Sequence, residues 1–339
     1  MLKTEYHKDL TRLNTFGMRV EAKAFIEYDS VADLVELDLE GYPRPVLHIG
    51  GGSNLLFTGD FKGTVLHSKI KFIEPLESDP LKISVGAGVV FDDFCKWACD
   101  RQLWGVENLS GIPGEVGAAA VQNIGAYGVE VKDVISRVFC YDLQEEEFVS
   151  FGVEDCAYGY RDSIFKHPGT KGRHIVTHVV FQLNNNSVPR LDYGHLKDAV
   201  EAAAQGRELT PHLVRKTVLD IRNQKLPDPA KIGSAGSFFK NPVVSRGEYE
   251  KIASEYENIP HFDLGDAGVK IPAAWMIEQC GWKGRRQGGA AVWEKQPLVI
   301  VNHSGNAFPE EVTGLERRII ESVRAKFGVV LSPEVEHIY

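Results

Sequence analysis

The chain has 339 residues, enough for two or three domains with cores of their own. Apolar residues make up 43% and charged residues 25%, a globular profile that excludes a disordered chain. The net charge of −9 argues against a nucleic-acid scaffold, whose footprint would be basic, while local cations still leave room for an anionic small molecule.

The first residues, MLKTEYHKDLTRL, lack the apolar core of a signal peptide, and no run reaches membrane-spanning length. The expected location is the cytoplasm, with no membrane partner. Residues 32–39 (ADLVELDL) have helical spacing, and 45–50 (PVLHIG) read as a short buried strand running into glycines. Residues 63–70 and 82–88 read as strands, followed by a helix from Phe91 to Gln102 with Cys95 and Cys99 on one face. Residues 134–143 and 146–151 form a strand pair around an acidic turn, and 173–183 a long β-branched strand. The polar stretch 184–194 marks a boundary or an excursion. Thr210 then fits an N-cap, Pro211 the first helical position and Pro227 the stop. Helices follow at 271–281 and 308–328, closed by Gly281 and Gly328. The whole reads as α+β, strand-rich in front and mixed at the back. The five cysteines (Cys95, Cys99, Cys140, Cys156, Cys280) are scattered without a CxxC, and eleven histidines include no HExxH. Reduced thiols and no metal are expected.

Three glycine clusters lie at 49–57, 110–128 and 233–242. Glycine permits positive φ and lets backbone N–H groups approach an anion unhindered. The dinucleotide fingerprint fails, because Leu55 stands where its third glycine belongs, and no GxxxxGK[ST] occurs. Residues 110–128 read as a loop laid along a large cofactor, offering backbone donors and the amides of Gln122 and Asn123. GSAGSFFKNP (233–242) reads three ways by itself: a connector, a phosphate loop or the seat of a reactive serine. Taken singly, Arg161 beside Asp162 is equally a surface ion pair. Glu334 reads first as a solvated end, and Arg222 with Lys225 as a solvated helix face.

Six motifs in order change that balance: NTFG (14–17), GGGSNLL (50–56), SGIPGEVGAAAVQNIGAYG (110–128), GYRDSIFK (159–166), GSAGSFFKNP (233–242) and SPEV (332–335). Together, from Asn14 to Glu334, they resemble the UDP-N-acetylenolpyruvoylglucosamine reductases of peptidoglycan synthesis. The resemblance implies a vanillyl-alcohol-oxidase/PCMH-type FAD-binding fold plus a smaller α+β substrate-binding domain. Residues 1–70 and 71–205 would be the FAD subdomains, with the Tyr193 loop near the end of the second. Residues 206–325 would be the substrate domain and 326–339 a segment returning to the active site. It also implies non-covalent FAD, NADPH as co-substrate, and a monomer acting on UDP-N-acetyl-3-O-(1-carboxyvinyl)-glucosamine.

Carried over by position, the catalytic residues are Arg161, Ser237 and Glu334. Tyr193 covers the substrate, Arg222 and Lys225 meet its diphosphate and carboxylate, and Asn241 and Gln296 are further contacts. FAD is implied at Gly50, Gly51, Gly52, Ser53 and Asn54, and at Pro113, Gly114 and Gly117. The same cofactor set continues through Gln122, Asn123, Gly125, Ala126 and Tyr127. One departure is the GAAA at 117–120 in place of a glycine-rich run, which leaves backbone donation intact. The chemistry agrees. Hydride addition to an enol ether builds negative charge next to a carboxylate, and that charge needs fixed donors and one proton on one face. Ser237 can supply the proton, Arg161 can brace the enolate, and Glu334 can bond the carboxylate or relay the proton. Two other readings compete: an oxidase on the same fold, for which residues 50–54 and 110–128 hold no histidine or cysteine to link a flavin, and a non-enzymatic nucleotide-sugar-binding protein.

Overall fold

The computed structural model describes residues 2–186 and 189–339; Ser187 and Val188, inside the polar stretch 184–194, lie outside the described residues. The chain packs into two interleaved units. The first takes Ala22–Gly51 and Lys62–Arg222 together with the start of the chain up to Lys8. The second takes Asp9–Glu21, Gly52–Phe61 and Asn223–Tyr339. The boundary cuts the helix Pro211–Lys225 near its end.

The first unit is built on two sheets. One orders the strands Lys3–Asp9, Glu21–Tyr28, Phe61–Ser68 and Val46–Ile49, with the last two parallel. The other is antiparallel: Glu147–Gly152, Ile135–Asp142, His174–Gln182, Asp79–Gly86, Ile73–Leu76. The helix Phe91–Asp100 buries Phe91, Phe94, Cys95, Ala98 and Cys99, the i, i+3, i+4 stripe that its sequence spacing requires. Phe94 meets Phe181 of the sheet at a ring separation of 4.6 Å. Each such buried phenylalanine stabilises by about 1.5–3 kcal/mol through area removed from water. All five cysteines are free, and burial pushes the Cys99 thiol up to about 12.

The second unit centres on an antiparallel sheet of Gly233–Ser237, Val299–Asn302, Ala290–Val292 and Arg286–Gln287. The helix Pro309–Phe327 buries Val312, Leu315, Ile319 and Val323, starts on a proline and ends at Gly328 with φ 71°. The strand Glu336–Ile338 returns to pair in parallel with Leu55–Phe57.

Two sequence expectations are corrected. The helix expected over 32–39 covers only Val31–Val35, because the Asp38 carboxylate accepts the Glu40 N–H at 2.8 Å and forms a competing local turn. The span 110–128 is not loop throughout: its alanine-rich middle folds as the helix Val116–Gln122. GSAGS at 233–237, open between three readings when taken by itself, is a sheet strand that runs into the buried Phe238 and Phe239.

Candidate active site and cofactor cradle

In the first unit the strand Val46–Ile49 delivers Gly50 and Gly51 to the segment around Gly114. A Cβ on Gly51 would lie 3.3 Å from the Gly114 Cα, and one on Gly50 would lie 2.9 Å from the Ala118 Cβ. Two backbones therefore approach with no side chain between them, which is the property an anion cradle needs. Gly117 lets its helix close on Ala87, at 2.9 Å from an imagined Cβ. Glu115 stands under Gly50, its carboxylate 3.0 Å from the buried His67 imidazole.

Just upstream, Asn108 and Ser110 are fully buried. The Asn108 amide donates to the carbonyls of Tyr127 and Arg190, while Asn108 Oδ1 and Ser110 Oγ have no partner among the described residues. Buried polar atoms without partners are uncommon in folded proteins. With the glycine cradle beside them, they fit a large polar cofactor. Ser110 opens the stretch 110–128 expected along a large cofactor, but neither residue is among the contacts the resemblance implies, and Asn108 lies outside that stretch.

The rest of this loop is braced by neighbours. Tyr127 and Gly128 both take positive φ, 49° and 79°, in a two-residue turn between Gly125–Ala126 and Val129–Glu130. Asn123 is buried with φ 45°, its amide donating to the Gly159 carbonyl at 2.8 Å and to Glu130. Gln122 accepts from Lys166 at 2.9 Å. Pro113 lies in the same loop, between Ile112 and Gly114.

Arg161 joins this group. Its guanidinium donates to the carbonyls of Gly125 at 2.9 Å and Asn123 at 3.3 Å, and its backbone holds φ 54°, a sparsely populated conformation for a side-chain-bearing residue. Tyr193 is 49% exposed and meets Tyr127 edge-on at 6.3 Å. Arg222 donates to the Gly111 carbonyl at 2.9 Å, and burial lowers it below the ordinary guanidinium value. The other side of Gly111 is held too: its N–H donates at 2.6 Å to Asp92, which Arg215 grips with both guanidinium nitrogens. Burial pushes Asp92 up, but the Arg215 and Gly111 bonds outweigh it and leave the carboxyl below its usual range.

The second unit brings Ser237 and Glu334 together. The strand Gly233–Ser237 keeps register with Val299–Asn302 at Gly233 and Ser234, then shifts before Ser237. Gly236 sits at the irregularity with φ 71°. Phe238 and Phe239 are buried and anchor the strand, with Phe238 edge-on to Phe16 at 6.3 Å. The Glu334 N–H donates to the Phe238 carbonyl at 2.8 Å, and Lys240 N–H to the Ser332 carbonyl at 2.9 Å. Asn54 then donates its amide to the Glu334 carbonyl at 3.2 Å. Within this unit Asn54, GSFFKNP and SPEV thus share one neighbourhood, with Ser53 between Gly52 and Asn54.

Other motif residues support this frame. Thr15 of NTFG accepts the Ser234 N–H on its carbonyl and donates its hydroxyl to the Ser234 carbonyl at 2.7 Å. Asn241 accepts the Ala273 N–H at 2.9 Å, at the start of the helix Ala273–Gln279. Gln296 shapes the turn into Val299–Asn302, its carbonyl accepting the Val299 N–H at 3.0 Å. Lys225 is exposed, with its carbonyl held by the Trp293 indole at 3.0 Å.

Comparison with known proteins finds two family matches along the chain. Residues 22–146 match the FAD binding domain family, and residues 228–338 match the C-terminal domain of UDP-N-acetylenolpyruvoylglucosamine reductase. A UDP-N-acetylenolpyruvoylglucosamine reductase from Bacteroides fragilis is 50% identical over 328 residues, covering 96% of this chain and 97% of the relative. Its counterparts from Porphyromonas gingivalis and Neisseria gonorrhoeae are 44% and 45% identical, covering 97% and 98% of this chain and 97% of each relative. The crystal structure of the Thermus caldophilus reductase superposes with a TM-score of 0.69 at 23% identity, over 100% of this chain and 99% of that one. That likeness supports the fold.

Proposed function

This chain belongs to the UDP-N-acetylenolpyruvoylglucosamine reductase family, and from that premise we propose that Arg161, Ser237 and Glu334 carry its chemistry. The protein is an FAD-dependent oxidoreductase with NADPH as co-substrate. It reduces the enolpyruvyl ether of UDP-N-acetylglucosamine to UDP-N-acetylmuramate for peptidoglycan synthesis. FAD, when bound, relays a hydride from NADPH to the enol ether. The glycines at 50–52 and 114, with Gly117, Ser110 and the 122–127 turn, are the residues proposed to hold it.

The observation that carries the assignment is the Glu334 N–H to Phe238 carbonyl bond of 2.8 Å, which sets Glu334 beside the residue after Ser237. In this reading Arg161 stabilises charge developing next to the substrate carboxylate. Ser237 delivers a proton to the α-carbon, a base strong enough to take it from an alcohol. Glu334 bonds the carboxylate or passes a proton to Ser237. Arg222, Lys225, Tyr193, Asn241 and Gln296 are proposed to bind and cover the nucleotide sugar. The same reading has the protein working as a monomer in the cytoplasm, with neither nucleic acid nor membrane as partner. Among the described residues no helix is long and apolar enough to cross a membrane.

Rapid mixing tests the assignment. Ser237→Ala is expected to leave reduction of the flavin by NADPH within about twofold while slowing reoxidation by substrate at least about a hundredfold, the scale of a lost proton donor. Equal loss in both half-reactions would show Ser237 to be structural.

A further inference from the structure

His337 lies on the returning strand Glu336–Ile338, and its Nε2 is 2.8 Å from Glu316 on the helix Pro309–Phe327. The two side chains are only 13% and 10% exposed. The same imidazole meets the Phe238 ring edge-on at 6.0 Å. Phe238 directly follows Ser237, and its carbonyl accepts the Glu334 N–H. A single side chain therefore touches the residue next to one catalytic candidate and anchors the strand that starts just after the other. Among the described residues, Leu55–Phe57 is that strand's one sheet partner, and the pair with Glu316 ties the strand to the helix Pro309–Phe327 as well.

We propose that His337, clamped by Glu316, is a positioning residue for the reduction, holding Ser237 and Glu334 in register. The inference rests on the reading of those two residues given above. Position matters at this scale, because a proton donor misplaced by about 1 Å can lose a hundredfold in rate.

The clamp also titrates. Glu316 raises the His337 value against the opposing effect of burial. The imidazole contacts Glu316, the uncharged Phe238 and, just past its own strand, Tyr339; Glu310 and Arg317 from the same helix as Glu316 line the same cavity, with the uncharged Thr58. Glu336 is its neighbour along the strand. With the folded value raised, the charged clamp is complete below the ordinary imidazole value and is lost as pH rises through the raised one.

The test uses the flavin-loaded full chain and follows both half-reactions from about pH 6 to 9. His337→Ala is expected to slow reoxidation by substrate about tenfold while NADPH reduction stays within about twofold. Reoxidation of the native protein is expected to decline at alkaline pH, and His337→Gln, which donates to Glu316 without titrating, to recover most of the neutral-pH rate and to lose that decline. Equal slowing of both half-reactions, or an unchanged pH profile in His337→Gln, overturns the proposal. Should His337→Ala not fold, the glutamine variant still decides. Ser237→Ala run in parallel separates the two failures: intact reoxidation there removes the catalytic reading and this inference with it. Slow reoxidation there beside normal His337 variants removes this inference alone.

Discussion

Two glycines show how differently a single residue can be required. Gly236 has φ 71° with nothing near a would-be Cβ, so only the left-handed backbone excludes other residues. Gly52 has φ 60°, and its Cβ would fall 2.0 Å from the Leu13 carbonyl oxygen, a backbone atom held in place. Gly236→Ala is therefore expected to cost about 1–2 kcal/mol, and Gly52→Ala clearly more. Urea unfolding of the two variants checks the order; equal losses would mean that the Leu13 segment yields. The paired serines of GSAGSFF divide on the same ground. Ser234 is buried and bound on both backbone groups to Thr15, whereas Ser237 follows the strand irregularity and is left partly exposed.

At the level of elements, the pairing of Asp92 with Arg215 ties the helix Phe91–Asp100 to the helix Pro211–Lys225, and Gly111 is clamped between Asp92 and Arg222. Removing one partner strands a buried charge. Asp92→Ala is expected to cost about 3–5 kcal/mol and to loosen flavin retention, read by urea unfolding and bound-flavin content. Because the folded Asp92 carboxyl lies below its ordinary value, its stabilisation is present above that ordinary value and is lost as pH falls through the lower folded one. The stability gap between native protein and variant should thus begin to narrow as pH falls below about 4; a gap unchanged at low pH would refute the pairing as its source. Periodic elements were legible without the structure. The helix at 91–100 carries a 3.6-residue apolar stripe, and the strand at 174–182 a β-branched, largely buried run. The helix Val116–Gln122 was not, since its one glycine and three alanines leave no large apolar stripe to display.

Across the whole molecule, the second unit draws Asp9–Glu21 and Gly52–Phe61 from the front of the chain. Gly233 closes on the Phe16 carbonyl, Ser234 bonds Thr15, and Glu336–Ile338 pairs with Leu55–Phe57. A fragment of residues 223–339 lacks all three partners. It is expected to show no cooperative unfolding transition when expressed alone, by circular dichroism against urea. A sharp two-state transition would show that the borrowed segments are dispensable.

The sequence by itself determined the α+β class, the family and the six motifs, because ordered motifs and local periodicity are properties of the chain read in one direction. It also placed Ser237 above Ser234 through that resemblance. Only the tertiary structure decided what joins those motifs. The bond from Glu334 to Phe238 spans nearly a hundred residues, that from Asn54 to Glu334 spans 280, and the imidazole of His337 meets Glu316 across two elements. Such partners follow from how strands and helices pack, and no spacing in the sequence encodes them. The buried Asn108 and Ser110 stayed hidden for the same reason, since burial without a partner is a property of the folded surroundings and not of the residue.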